Sequence, residues 1–196
     1  NVAEADDDER ARLRVALHEP YRTLIGHLRH ESGHFYWDRL VRDTERLEPF
    51  RALFGDERQD YAAALQAHYA QPPRADWSTL HVSAYAATHP WEDWAETWAH
   101  YLHMVDLLET AAAYATGLCV PETGASTAPR EHVADPFAAP APGFDTMVRQ
   151  WVPLTLLLNS LNRSLGQQDA YPFALSPGAL RKLRFVHDTV VQATAD

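Results

Sequence analysis

Cysteine is almost missing from this chain. Cys119 is the only one in 196 residues, so no intrachain disulfide can form and no cysteine-built zinc site is available. A reducing cytoplasm is therefore the expected compartment. Long apolar runs are lacking too. No stretch approaches the ~20 uninterrupted apolar residues of a membrane-spanning helix, and the first ten residues are acidic where a signal peptide would be basic and then apolar. Basic residues are few and scattered. Lys and Arg number 17 against 27 Asp and Glu, a net charge of −10, which excludes the concentrated basic patch needed by nucleic acid or an anionic membrane as partner. Internal repeats and β-hairpin signals are also absent, so any sheet should be small. The chain opens on Asn1 rather than Met, which leads us to expect a segment ahead of it.

What remains is an ordinary globular composition, 46% hydrophobic and 22% charged, read as a single mainly α domain spanning 1–196. Helical periodicity marks a first long helix over 20–43, which starts near Pro20. Shorter helices follow over 47–53 and 60–71, and 76–88 has no helical period and is expected to run extended. A second long helix is expected over 90–116, with Pro90 in its first turn, Glu92 and Asp93 at its positive end and Gly117 just past its close. At 100° per residue, Glu92, Glu96, Ala99, His100 and His103 share one face of it. Trp94, Trp98, Leu102 and Val105 lie on the far side and are expected to pack elsewhere. A Pro-rich loop over 118–143 then leads to a C-terminal helical part, 144–196, with Pro153 kinking or restarting its first helix.

The first long helix contains His30-Glu31-Ser32-Gly33-His34, which reads H-E-x-x-H. Two imidazoles four residues apart project from one helix face about 6 Å apart at Cβ, close enough to share one Zn²⁺. Glu31 falls between them, where a carboxylate can take a proton from water and pass it to a leaving amine. A catalytic zinc takes three protein ligands, so a third must come from elsewhere. Gly and His at the metzincin positions are excluded, because Trp37 and Leu40 stand there. The best source is Glu92-Asp93-Trp94-Ala95-Glu96, where acids four apart on one face repel unless a cation or protonated His sits among them. Glu92, Asp93 and Glu96 are each candidates.

Glu92-Asp93-Trp94-Ala95-Glu96 resembles the second-helix signature of gluzincins, in the E-x-x-A-E form of anthrax lethal factor-like peptidases. Ser83-Ala84-Tyr85-Ala86-Ala87-Thr88-His89-Pro90-Trp91-Glu92-Asp93 is similar to the S-x-Y-A-x-T-x-P-x-E-D segment of that group. Together with H-E-S-G-H-F-Y-W-D, these stretches resemble the bacterial zinc-binding metallopeptidase family, and the likeness extends into Tyr171-Pro172-Phe173. The resemblance implies a zincin-like fold with one catalytic zinc on His30, His34 and Glu92. It implies Glu31 as general base and acid, Glu96 as the residue that orients a ligand His, and Tyr85 as the group that reaches the substrate carbonyl oxygen. Members often carry an N-terminal cysteine zinc ribbon, which this chain lacks. The expected activity is hydrolysis of peptide bonds in a peptide or protein substrate. The alternatives are a catalytically silent zinc-binding or regulatory protein of the same fold, and a hydrolase of a non-peptide amide. His100 and His103 read as packing groups or as supports of the ligand residues rather than ligands, and Arg163, with Asn159 and Asn162, as a solvated face or a grip for a peptide carboxylate.

Overall fold

The computed structural model describes residues 23–70, 75–119 and 130–195. The described part is mainly α: six helices and a two-stranded antiparallel ladder. Two compact units divide it, one of residues 1–101 and 173–196 and the other of residues 102–172.

In the first unit, α1 (Leu24–Leu40) carries the H-E-x-x-H stretch. Thr23 caps it from an extended backbone, its Oγ1 accepting from the Gly26 N–H at 3.0 Å and so satisfying one of the unpaired donors of the first turn. The expected start at residue 20 lies outside the described residues. The end comes earlier than the expected residue 43. Val41 and Arg42 both donate to the Trp37 carbonyl, and Asp43 takes a φ of 57°, a left-handed conformation that stops a helix and that Asp tolerates better than most residues. Helices α2 (Leu47–Phe54) and α3 (Tyr61–Ala70) follow. The stretch after residue 75 is not extended. It forms a 3₁₀ turn at Trp77–Thr79 and successive turns up to the next helix.

Helix α4 (Pro90–Ala113) begins at Pro90, with Glu92 and Asp93 in its first turn, as the start signals predict. The last helix of this unit, α6 (Pro177–Ala195), contributes Leu183 and Val186 to the interior. The core beneath α1 and α4 is aromatic. Trp94 and Phe50 are fully buried, with ring centroids 6.2 Å apart, and Trp37 and Phe185 join them.

Contrary to expectation, Trp94 and Trp98 grip the motif helix. The Trp94 Nε1–H donates to the Gly33 carbonyl at 2.8 Å, and the Trp98 Nε1–H to Ser32 Oγ at 3.1 Å. A buried indole N–H needs an acceptor, and long side chains on a helix lean back over the preceding turn, so these rings reach around α4 to α1. The room for this is at Gly33, where an added Cβ would lie 2.9 Å from Ala95 Cα and 3.2 Å from Trp98 Cβ. The close approach expected of Ala95 is thus observed, and glycine on the facing helix makes it possible. In an open helix interior Gly→Ala stabilises by roughly 1 kcal/mol. Gly33→Ala should do the opposite, forcing α1 off α4 at a cost of about 1–3 kcal/mol. A thermal midpoint unchanged or raised in that variant would show the crossing to be looser than it looks.

In the second unit, β1 (Gly117–Cys119) pairs with β2 (Arg130–His132), Gly117 opposite His132. The expected loop over 118–143 therefore contains a short ladder. Helix α5 (Phe144–Ser164) runs on through Pro153 rather than restarting there. Gln150 holds the ladder's exit, accepting from the Ala134 N–H at 2.8 Å and donating to the His132 carbonyl. Asn159 is not a cleft residue: its side chain makes a double hydrogen bond with the Tyr171 backbone. Asn162 donates to the Gln168 carbonyl, and Arg163 forms an exposed ion pair with Asp169 at 2.6 Å. Among the described residues no helix is long and apolar enough to cross a membrane.

Candidate metal centre

Helix α1 sets His30 and His34 one turn apart on the side facing α4. Their rings meet edge to face with centroids 4.9 Å apart. The first turn of α4 adds Glu92, 1% exposed, and one donor atom from each of the three residues lies within 4.8 Å of the others. Glu92 Oε2 is 3.0 Å from His30 Nε2 and 3.6 Å from His34 Nε2. It faces both imidazoles as an ion-pair partner but accepts no hydrogen bond among the described residues. Tetrahedral zinc with bonds of about 2.0–2.1 Å separates its ligand atoms by about 3.3 Å, close to the two spacings seen here. Two imidazole nitrogens and one carboxylate oxygen within 4.8 Å of one another are a donor set such an ion takes.

The surrounding groups hold this set in place. Glu96, one turn along α4 from Glu92, accepts at Oε1 from His30 Nδ1 at 2.7 Å and at Oε2 from Ser83 Oγ at 2.6 Å. With Nδ1 taken, His30 is left with Nε2 for an ion. His34 Nδ1 has no hydrogen-bond partner among the described residues, and its ring is held by Trp91, 4.0 Å away between centroids. Burial pulls the His30 imidazole down, but the Glu92 and Glu96 carboxylates beside it win and raise it to about 10. Burial pushes the Glu92 carboxyl up, yet the His30 and His34 imidazoles and the Tyr61 hydroxyl hold it well below the usual carboxylate range. Glu96 is shifted the same way, burial being outweighed by His30, with the Ser83 hydrogen bond adding to it. The pocket therefore favours positive charge where the three donors converge.

Tyr85, half-buried on the turn segment before α4, has its ring 6.0 Å from that of His30. Burial first, and then the Glu92 charge, drive its phenol far above the ordinary range, so it remains an O–H donor. Glu31 is solvent-exposed. Its side chain is 57% exposed, and Oε1 lies 3.6 Å from His27 Nε2. Asp93 takes no part in the cluster: buried, it pairs with Lys182 of α6 and with His81, 3.1 Å away. His100 is buried edge-on against Phe173 at 4.5 Å, and burial lowers it to about 4 against the pull of Glu96, which leaves it neutral. His103 is buried and likewise lies outside the donor set.

Sequence reasoning missed Tyr61, Ser83 and Trp91 as parts of this site. Ser83 and Trp91 stood inside the motif-bearing segment, one at its first position and the other beside Glu92. Tyr61 gave no signal beyond its place in an amphipathic stripe. Its hydroxyl donates to Glu92 Oε1 at 2.8 Å, and burial and that carboxylate push its phenol up to about 12.

The family model described as "putative zinc-binding metallo-peptidase" matches residues 1–189. Uncharacterized proteins of Mycobacterium bovis and of two strains of Mycobacterium tuberculosis are 44% identical to the chain over 197 residues. That match takes in all of this chain and 54% of each relative, so the chain spans about half the length of the curated relatives it matches. No solved structure matches it. A family match over nearly the whole chain, meeting a donor set of the kind zinc takes, places this chain in the zinc-binding metallo-peptidase family.

Proposed function

We propose that the chain is a zinc-dependent peptidase domain that hydrolyses peptide bonds, with His30, His34 and Glu92 as metal ligands. The observation that carries the proposal is the buried Glu92 Oε2, facing two imidazole nitrogens and without a hydrogen bond among the described residues. A bound zinc supplies Lewis acidity, polarising a carbonyl and lowering the pKa of a water toward ~7. Glu31, on the ligand helix and open to solvent, takes the proton of the attacking water and returns it to the leaving amine. Glu96 keeps the His30 ring turned so that Nε2 faces the centre. Tyr85 donates its O–H to the carbonyl oxygen as negative charge grows there.

Metal analysis of the purified protein together with a peptide-library cleavage screen tests this reading. One zinc per chain and cleavage that stops on chelation are expected. Substoichiometric metal sinks the ligand set, and full zinc without cleavage of any peptide turns the chain into a silent zinc-binding protein or a hydrolase of another amide.

Tyr85→Phe isolates one step. It deletes a single oxygen and keeps the ring beside His30, so zinc content should match the parent and the thermal midpoint should fall little, only the contact with the Tyr61 hydroxyl being lost. Because the lost hydrogen bond acts where charge develops, kcat should fall roughly 10²–10³-fold with little change in KM. Near-parental turnover, or loss of stability in step with activity, returns Tyr85 to the core.

A further inference from the structure

The two oxygens of Glu92 face different ways. Oε2 meets the Nε2 atoms of His30 and His34, whereas Oε1 accepts from the Tyr61 hydroxyl. Tyr61 lies 31 residues upstream of Glu92, in α3, a helix without buried residues. Its own ring is 37% exposed, so burial in the core does not explain its placement. The ring is held edge-on by His89, at 5.4 Å and 77°, and by Trp91, at 6.0 Å and 78°. These two residues flank Pro90 at the start of α4, immediately ahead of Glu92. His89 Nε2 in turn lies 3.1 Å from the Gln59 carbonyl, two residues before Tyr61, and Trp91 lies against His34. The phenol is thus held where its hydroxyl reaches one carboxylate oxygen, by the residues that lead into the ligand helix.

A carboxylate can bind a cation through one oxygen or both, and a hydrogen bond to one oxygen ties that oxygen up. We propose that Tyr61 is a positioning residue that holds Glu92 Oε1 and so presents Oε2 alone to the metal. The proposal rests on the ligand assignment above. Metal-binding residues rely on such partners, and loss of one typically weakens affinity 10- to 100-fold. The same hydroxyl also interacts with the Tyr85 phenol, so a change in Tyr61 reaches both the ligand and the residue assigned to the carbonyl oxygen.

Tyr61→Phe is the test, since it removes the hydroxyl and leaves the ring between His89 and Trp91. Zinc affinity, measured by competition with a chromophoric chelator, should weaken about 10- to 100-fold. The visible absorption of the cobalt(II)-loaded protein should fall, because Oε1 becomes free to bind as well and intensity drops as coordination number rises. The midpoint of the metal-free protein should fall modestly, since Glu92 Oε1 and the Tyr85 phenol each lose a partner. Unchanged zinc affinity together with an unchanged cobalt spectrum overturns the proposal. Weakened affinity with an unchanged cobalt spectrum also overturns it, by making Tyr61 a packing residue that does not decide how many Glu92 oxygens bind. Failure of the underlying assignment looks different: the parent itself would then hold less than one zinc, whatever stands at position 61.

Discussion

Glu31→Gln should retain one zinc per chain and lose hydrolysis, by roughly 10²–10⁴-fold in kcat. His30→Ala and His34→Ala should instead lose the metal. The two kinds of loss separate because the residues occupy different places. His30 and His34 turn their Nε2 atoms to Glu92 Oε2, whereas the Glu31 side chain is 57% exposed and near His27, outside the donor set. A Gln side chain is the same size and can still accept a hydrogen bond, but it cannot take up a proton near neutral pH. Substrate binding should therefore persist, with KM little changed while kcat collapses. Zinc loss in Glu31→Gln would count Glu31 among the ligands. Parental turnover in that variant would move the general base to another residue and remove the main reason for reading H-E-x-x-H as catalytic.

The parts of this site that could be read from sequence are those set by one helix at a time. His30 and His34 are paired by the helical repeat, and the start of α4 is written in Pro90, Glu92 and Asp93. The fold class followed from the same local signals, a lack of hairpin chemistry and several amphipathic stretches. What escaped depends on how separate segments meet. The 100° wheel put Trp94 and Trp98 away from α1, but it does not know that Gly33 leaves a gap for them on the facing helix. Asp93, one residue from Glu92, stands in the sequence as an alternative for the metal, and only the structure pairs it with Lys182, 89 residues later in the chain. Tyr61 belongs to the same class. Nothing near it in sequence announces that its hydroxyl ends on Glu92.

Glu92→Ala should release zinc, and Glu96→Ala should only weaken it about 10- to 100-fold. Spacing alone, four residues apart on one face, allows either acid to be the ligand, and in the sequence only the family resemblance sets Glu92 ahead. In the structure they differ in what each oxygen already does. Both oxygens of Glu96 are engaged, Oε1 by His30 Nδ1 and Oε2 by Ser83 Oγ, and the carboxylate reaches the centre only through the imidazole. Glu92 has one oxygen engaged by Tyr61 and one bare, buried and 3.0 Å from His30 Nε2. Removing Glu92 deletes a donor and leaves two imidazoles to hold the ion. Removing Glu96 leaves all three donors and frees the His30 ring to turn. Glu96→Gln sharpens the contrast, since its amide oxygen can still accept from Nδ1–H, and its affinity should fall between those of the parent and Glu96→Ala. Calorimetric zinc titrations of the three variants decide the matter. Full metal retention in Glu92→Ala rejects Glu92 as the third ligand and moves that role to Glu96 or a histidine, because Asp93 is already paired with Lys182 and His81. Equal metal loss in Glu92→Ala and Glu96→Ala would mean that His30 cannot bind unless its ring is held, and that holding the ring matters as much as the donor itself.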